Sequence, residues 1–107
     1  MENLLMFNAT GFRDYEYWQF NDKKTLKRIN ILIKEIQRGG PLEGIGKPEA
    51  MRYRGGYSRR IDEKNRLEYE YVSDKEGSRT LITACAGHYS ETGTSSTKKS
   101  LLQGLQI

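Results

Sequence analysis

Two textures in the chain predict an α+β fold: an N-terminal helical hairpin packed on a mainly antiparallel, twisted sheet of about four to five strands. The first is helical spacing. Leu26, Ile29, Leu32, Ile33 and Ile36 fall on one face of "NDKKTLKRINILIKEIQRGGP", with Lys23, Lys27, Arg28 and Lys34 largely outside it. The second is alternation. In "RLEYEYV", Leu67, Tyr69 and Tyr71 point one way and Arg66, Glu68 and Glu70 the other. A Gly- and Pro-punctuated stretch, "PLEGIGKPEAM", separates the helical half from the strands.

Taken in order, Leu4 to Phe7 forms a short first strand. In "TGFRDYEYWQF", Phe12, Tyr15, Trp18 and Gln19 recur at spacings of three and four, a first helix with an aromatic stripe turned to the core and with Asn8 or Thr10 as cap. The second helix is capped by Asn21 or Asp22 and stopped by Gly39, Gly40 and Pro41. The very short turn between the two makes them a helical hairpin. Beyond the loop, "GYSRRI" pairs with "RLEYEYV" through a turn at "DEKN", and "SDKEGS" turns into a last strand, "RTLITACA", apolar enough to be buried on both faces. After Tyr89 the sequence becomes small and polar. Residues 1–89 are therefore read as the folded domain and 90–107 as a disordered extension.

With 107 residues, the chain suits one domain. Mean hydropathy is −0.80 and charged residues make up 30%, but the apolar residues are patterned, as in a folded protein. The single cysteine, Cys85, excludes an internal disulfide and reads as a small buried hydrophobe. One Cys and one His are too few for a usual zinc site. No stretch is long enough to span a membrane, and "MENLLMF" lacks the basic leader of a signal peptide, so a cytoplasmic protein is expected. The charge is uneven. From Lys47 to Arg66 there are seven basic residues against three acidic ones, a net +4 that equals the net charge of the whole chain. Such local density suits a polyanionic partner such as nucleic acid.

Four groups have the chemistry for metal-free RNA cleavage: Glu49, Arg66, His88 and Tyr89, with Arg59 and Arg60 nearby. That reaction needs a base for the 2′-hydroxyl, an acid for the departing 5′-oxygen and a cation for the phosphorane. Arginine's planar fork matches phosphate oxygens. Arg66 opens one strand and His88, the only histidine, closes the next, so an antiparallel pair brings them to one edge of the sheet. Glu49 joins them only if its loop folds over that edge, which composition does not determine.

The segments "DYEYWQ", "LKRINILIKEI", "LEGIGKPEAM", "YSRRIDEKNRLEYEY" and "LITACAGHY" resemble, in order and spacing, the YoeB/Txe toxins of bacterial toxin–antitoxin modules, within the wider RelE-like family. The resemblance runs from about Leu4 to Tyr89. It implies a ribosome-dependent mRNA endonuclease that cuts the codon in the A site and inhibits translation, with no metal or organic cofactor. It also implies roles: Glu49 as general base, Arg66 on the phosphate, His88 as general acid and Tyr89 positioning the RNA, with Arg60 lining the site and Arg52 near the scissile phosphate. Arg59 is grouped with Arg52 and Arg60 as phosphate-binding on charge. The implied partners are a YefM/Phd-type antitoxin, the ribosome with its mRNA, operator DNA as a toxin–antitoxin complex only, and a second copy in a homodimer. Two departures stand out: Tyr57 replaces a common tryptophan, and the chain runs on past Tyr89 where the family usually ends. Two rival readings keep the fold and drop the cleavage: a gyrase-directed poison like ParE, and a non-catalytic toxin acting as corepressor with its antitoxin.

Overall fold

A computed structural model of the chain describes residues 2–53 and 55–87. Two helices lie over one face of a five-stranded mixed sheet. The elements, in chain order, are β1 (Glu2–Phe7), α1 (Ala9–Asn21), α2 (Lys23–Gly39), β2 (Glu49–Ala50), β3 (Tyr57–Arg60), β4 (Arg66–Asp74) and β5 (Gly77–Ala84). The strand order is β1-β5-β4-β3-β2. β1 runs parallel to β5, with Glu2 opposite Gly77 and Phe7 opposite Ile82, and every other pair is antiparallel. The α+β architecture matches the sequence reading. β1 starts at Glu2, ahead of the expected Leu4, and the two-residue β2 lies inside what reads as loop.

The helices begin and end where their capping residues dictate. Asn8 accepts the Gly11 N–H at 2.7 Å and starts α1. Asp22 serves both helices: its N–H donates to the Trp18 carbonyl, and its carboxylate accepts from the Lys24 and Thr25 amides. One residue therefore makes the whole turn of the hairpin. Those bonds hold the Asp22 carboxyl below the usual range, the Thr25 hydroxyl bond first among them. α2 stops at Gly40, whose φ of 94° belongs to glycine.

The apolar face of α2 is buried as read. Ile29, Leu32 and Ile36 are fully enclosed and Ile33 nearly so, against Leu67 and Tyr69 of β4 and Ile82 of β5. The aromatic stripe of α1 divides: Trp18 joins the core and Tyr15 packs against it, but Phe12 is half exposed. α1 comes so close to β5 that a Cβ at Gly11 would sit 2.2 Å from the Ile82 carbonyl oxygen. β5 alternates between buried and half-buried residues, one fully core face and not the two expected. Residues 90–107, read as a disordered extension, lie outside the described residues. Among the described residues, no helix is long and apolar enough to cross a membrane.

Candidate active site

The helices cover one face of the sheet and the candidate site occupies the other. Residues opposite each other in an antiparallel pair share a face. The register sets Glu49 opposite Ser58, Ser58 opposite Glu68, and Arg60 opposite Arg66. All five therefore line up on the face away from the helices. Alternation sends their neighbours Tyr57, Arg59, Leu67 and Tyr69 to the helix side.

β2 is short, but it settles the question of Glu49. It lays the end of the 40–48 loop along β3 and brings the Glu49 carboxylate to 2.7 Å from an Arg66 Nη. The Arg66 Nε also faces Ser58 Oγ at 3.3 Å, so the guanidinium lies across the strands and covers the serine. The Arg66 side chain is 25% exposed and that of Glu49 62%, an ion pair open to a substrate from above. The pair forms part of a cleft of about 530 Å³ whose walls include Arg52, Tyr53 and Glu68. Tyr53 is 90% exposed, with the Arg52 guanidinium 6.0 Å from its ring centre. Among the described residues, no three His, Cys, Asp or Glu side chains gather where they would hold a metal ion.

Arg59 requires a correction. Grouped with the phosphate-binding arginines, it is in fact fully buried on the helix side of β3. Its guanidinium is committed to the protein: Nε to Tyr69 Oη at 2.9 Å, one Nη to the Ile45 carbonyl at 2.9 Å, and the other to the carbonyls of Gly40 at 3.0 Å and Glu43 at 2.6 Å. Tyr69 in turn donates to the Pro41 carbonyl. Burial pushes the Tyr69 phenol up, and Arg59 partly offsets this. Arg59 thus pins the loop that delivers Glu49, and its full burial keeps it out of reach of RNA. Arg60, one residue on, has the opposite orientation and is exposed on the site face.

The end of β5 is held from both sides. Cys85 N–H donates to Asp14 Oδ2 at 2.9 Å, and Trp18 Nε1–H donates to the Cys85 carbonyl at 2.7 Å. Burial pushes the Asp14 carboxyl above its usual range, against the Cys85 and Ala86 amides and Arg13, which pull it down. The Cys85 thiol, buried and near Asp14, is pushed up to about 12, an inert structural group as its sequence context suggests. Gly87 N–H then donates to Asn65 Oδ1. Gly87 precedes His88 and Asn65 precedes Arg66, so the two strand ends are joined there. His88 and Tyr89 lie outside the described residues.

Ser58, Glu68, Tyr53 and Asn65 belong to this region but escape the motif-based reading. Glu68 was legible, since alternation places it on the Arg66 face, and so was Ser58 through its neighbour Arg60. Tyr53 and Asn65 carry no pattern in the sequence that would single them out.

This two-helix, five-stranded fold is shared with solved structures of small bacterial toxins. The chain superposes on a YoeB/ParE toxin from Agrobacterium tumefaciens with a TM-score of 0.74 at 34% identity, covering 80% of this chain and 99% of that one. Within the class, the model of the YoeB-like toxin of bacterial type II toxin-antitoxin system matches residues 7–89, and the chain belongs to that family. It is 44% identical over 87 residues to toxin YoeB of Escherichia coli strain K12, covering 79% of this chain and 98% of that protein. It is also similar to YoeB of Staphylococcus aureus. The structure of the dimer gives a TM-score of 0.72 at 45% identity, and the YoeB–YefM complex 0.70 at 43%; both cover 83% of this chain and 100% of theirs.

Proposed function

We propose that this toxin is a metal-independent endoribonuclease that cleaves mRNA in the ribosomal A site and so inhibits translation. The observation that supports this best is the Glu49–Arg66 pair, 2.7 Å apart on the open face of the sheet, beside the tie between Asn65 and Gly87.

In this reading the RNA phosphate competes with Glu49 for the Arg66 fork. Released from the ion pair, the Glu49 carboxylate takes the proton of the 2′-hydroxyl. The 2′-oxygen attacks phosphorus and the bond to the 5′-oxygen breaks. His88 gives that oxygen a proton, and a 2′,3′-cyclic phosphate remains on the upstream fragment. Arg66 holds the non-bridging oxygens, whose charge grows in the transition state. Tyr89 orients the RNA, and Arg52 and Arg60 hold flanking phosphates.

The partners follow from the relatives. YoeB of S. aureus is known as a dimer and in complex with YefM. This chain is proposed to form a homodimer and to pair with an acidic antitoxin of the YefM/Phd type, whose disordered segment would fold over the arginines and catalytic groups of the site. The pair would bind operator DNA, the antitoxin supplying the DNA-reading part, and free toxin would act in the cytoplasm. In a translating extract, primer extension should map cuts inside codons that require ribosomes. Cuts on ribosome-free RNA, or cuts that persist in the Glu49→Ala/His88→Ala protein, would refute the mechanism.

A further inference from the structure

The cleft on the open face of the sheet has two kinds of wall. Glu49, Arg66 and Ser58 line it with charge and hydrogen-bonding groups. Met51 and Tyr53 line it with a thioether and an aromatic ring. At about 530 Å³ it falls in the size range of small-molecule sites, which suits a single nucleotide. A nucleotide has the same division: a charged phosphate and a flat base with an apolar face.

The backbone fixes where Tyr53 stands. β2 pairs with β3, Ala50 opposite Tyr57, and the Met51 N–H closes the hairpin onto the Gly56 carbonyl at 2.9 Å. Gly56 has a φ of 81°, in the left-handed region that favours glycine. A Cβ on it would also stand 2.9 Å from the Tyr69 carbonyl oxygen, so the turn presses onto β4. Tyr53 therefore rides on a closed turn held against the strand that carries Arg66.

The ring takes no part in the core. At 90% it is the most exposed large apolar or aromatic side chain among the described residues. Tyr57 and Tyr69 show the contrast: they stack with centres 5.7 Å apart, in and against the core. The Arg52 guanidinium lies 6.0 Å from the Tyr53 ring centre, at the outer limit of a cation–π contact. An aromatic face with arginines beside it is the arrangement that holds single strands, because every base has a π face and every phosphate a charge.

We infer that Tyr53 is a stacking platform for RNA, carrying a base that adjoins the phosphate on Arg66. This rests on the phosphate role proposed for Arg66. The contact does not depend on which base is present, so it sets the position of the strand and not the choice of codon.

The test is binding of a short single-stranded RNA to the full chain in its Glu49→Gln form, read by fluorescence anisotropy, with thermal melting of each protein. A second RNA of the same length carries abasic ribose at every position. Tyr53→Ala should weaken binding of the intact RNA about 5- to 150-fold, the usual effect of losing one stacked base. Tyr53→Phe should bind as the parent does, and Tyr53→Leu, apolar but without a π face, should lose most of the affinity. On the abasic RNA, Tyr53→Ala should cost nothing, because the ring then has no base to pair with. Arg66→Ala should weaken both RNAs. Equal losses on the two RNAs from Tyr53→Ala, full affinity in Tyr53→Leu, or no loss in a folded Tyr53→Ala protein would overturn the stacking role and leave that of Arg66 standing. An Arg66→Ala protein that binds both RNAs as the parent does would overturn the phosphate role first, and the inference with it.

Discussion

At Glu49 and Arg66 the free protein holds as an ion pair what the proposed reaction must separate. An exposed pair of this kind contributes little to stability, about 0–1 kcal/mol, so both residues can be changed without unfolding the domain. Arg66→Ala should lower the cleavage rate about 10²–10³-fold, the usual effect of losing a donor to a developing oxyanion. Arg66→Lys should recover only part, because an ammonium offers a point charge and no fork; single-turnover rates on stalled ribosomes would measure both. Asp14 is the opposite case, a buried carboxylate that the fold tolerates. Its raised pKa means that the folded state binds its proton more tightly than the unfolded state. Its contribution to stability is therefore full below pH 3.8 and is lost as pH rises through the raised folded value. Asp14→Asn keeps an oxygen for the Cys85 N–H and has no charge to desolvate. It should be at least as stable as the parent at pH 7, with the advantage shrinking towards pH 3.8. Asp14→Ala takes the acceptor from the buried Cys85 amide and from the Ala86 amide as well, and should cost about 1–3 kcal/mol. Urea unfolding at both pH values checks the sign.

Among the elements, the 40–48 loop shows how a buried cation organises an exposed site. Arg59 ties four of its carbonyls and Tyr69 together, and the loop then delivers Glu49 through β2. Arg59→Met should cost about 3 kcal/mol or more in urea unfolding, since several buried acceptors lose their donor at once. Arg59→Lys should rescue little of it, as one ammonium cannot span those directions. The same strand shows what was legible in the sequence. Alternation in "RLEYEYV" and spacing in "LKRINILIKEI" are local signals, and the elements they predict are present. "SRRI" invites counting two adjacent arginines as one basic patch, yet neighbours on a strand face opposite ways, so Arg60 reaches the site and Arg59 the core. Phe12 misled for a related reason. Spacing places it on the aromatic stripe, but α1 comes against β5 at Gly11, and the Phe12 ring is left edge-on to Phe7 and half in solvent. The fold of Glu49's loop was not legible at all, because it depends on bonds from Arg59 to carbonyls 14 to 19 residues away.

The whole molecule separates its tasks by sheet face. The helix side carries the core, and the other side carries the carboxylate, the guanidiniums and the cleft, so the residues proposed to act on RNA are largely free of packing duty. With a net charge of +4, most of the attraction for RNA should be electrostatic. For an inactive Glu49→Gln protein binding a short single strand, affinity should fall steeply with salt. Arg52→Ala and Arg60→Ala should each reduce the log–log slope by about 0.7, whereas no such change is expected from any residue on the helix side. The central claim is that Glu49 takes the proton of the 2′-hydroxyl while Arg66 holds the phosphate. It is tested most directly by single-turnover cleavage, in chelator, of a ribosome-bound mRNA carrying one 2′-deoxy nucleotide at the mapped cut site. The all-ribose message should be cut to a 2′,3′-cyclic phosphate end, and the 2′-deoxy message should stay intact. Cleavage of the 2′-deoxy message at the same position would contradict the claim.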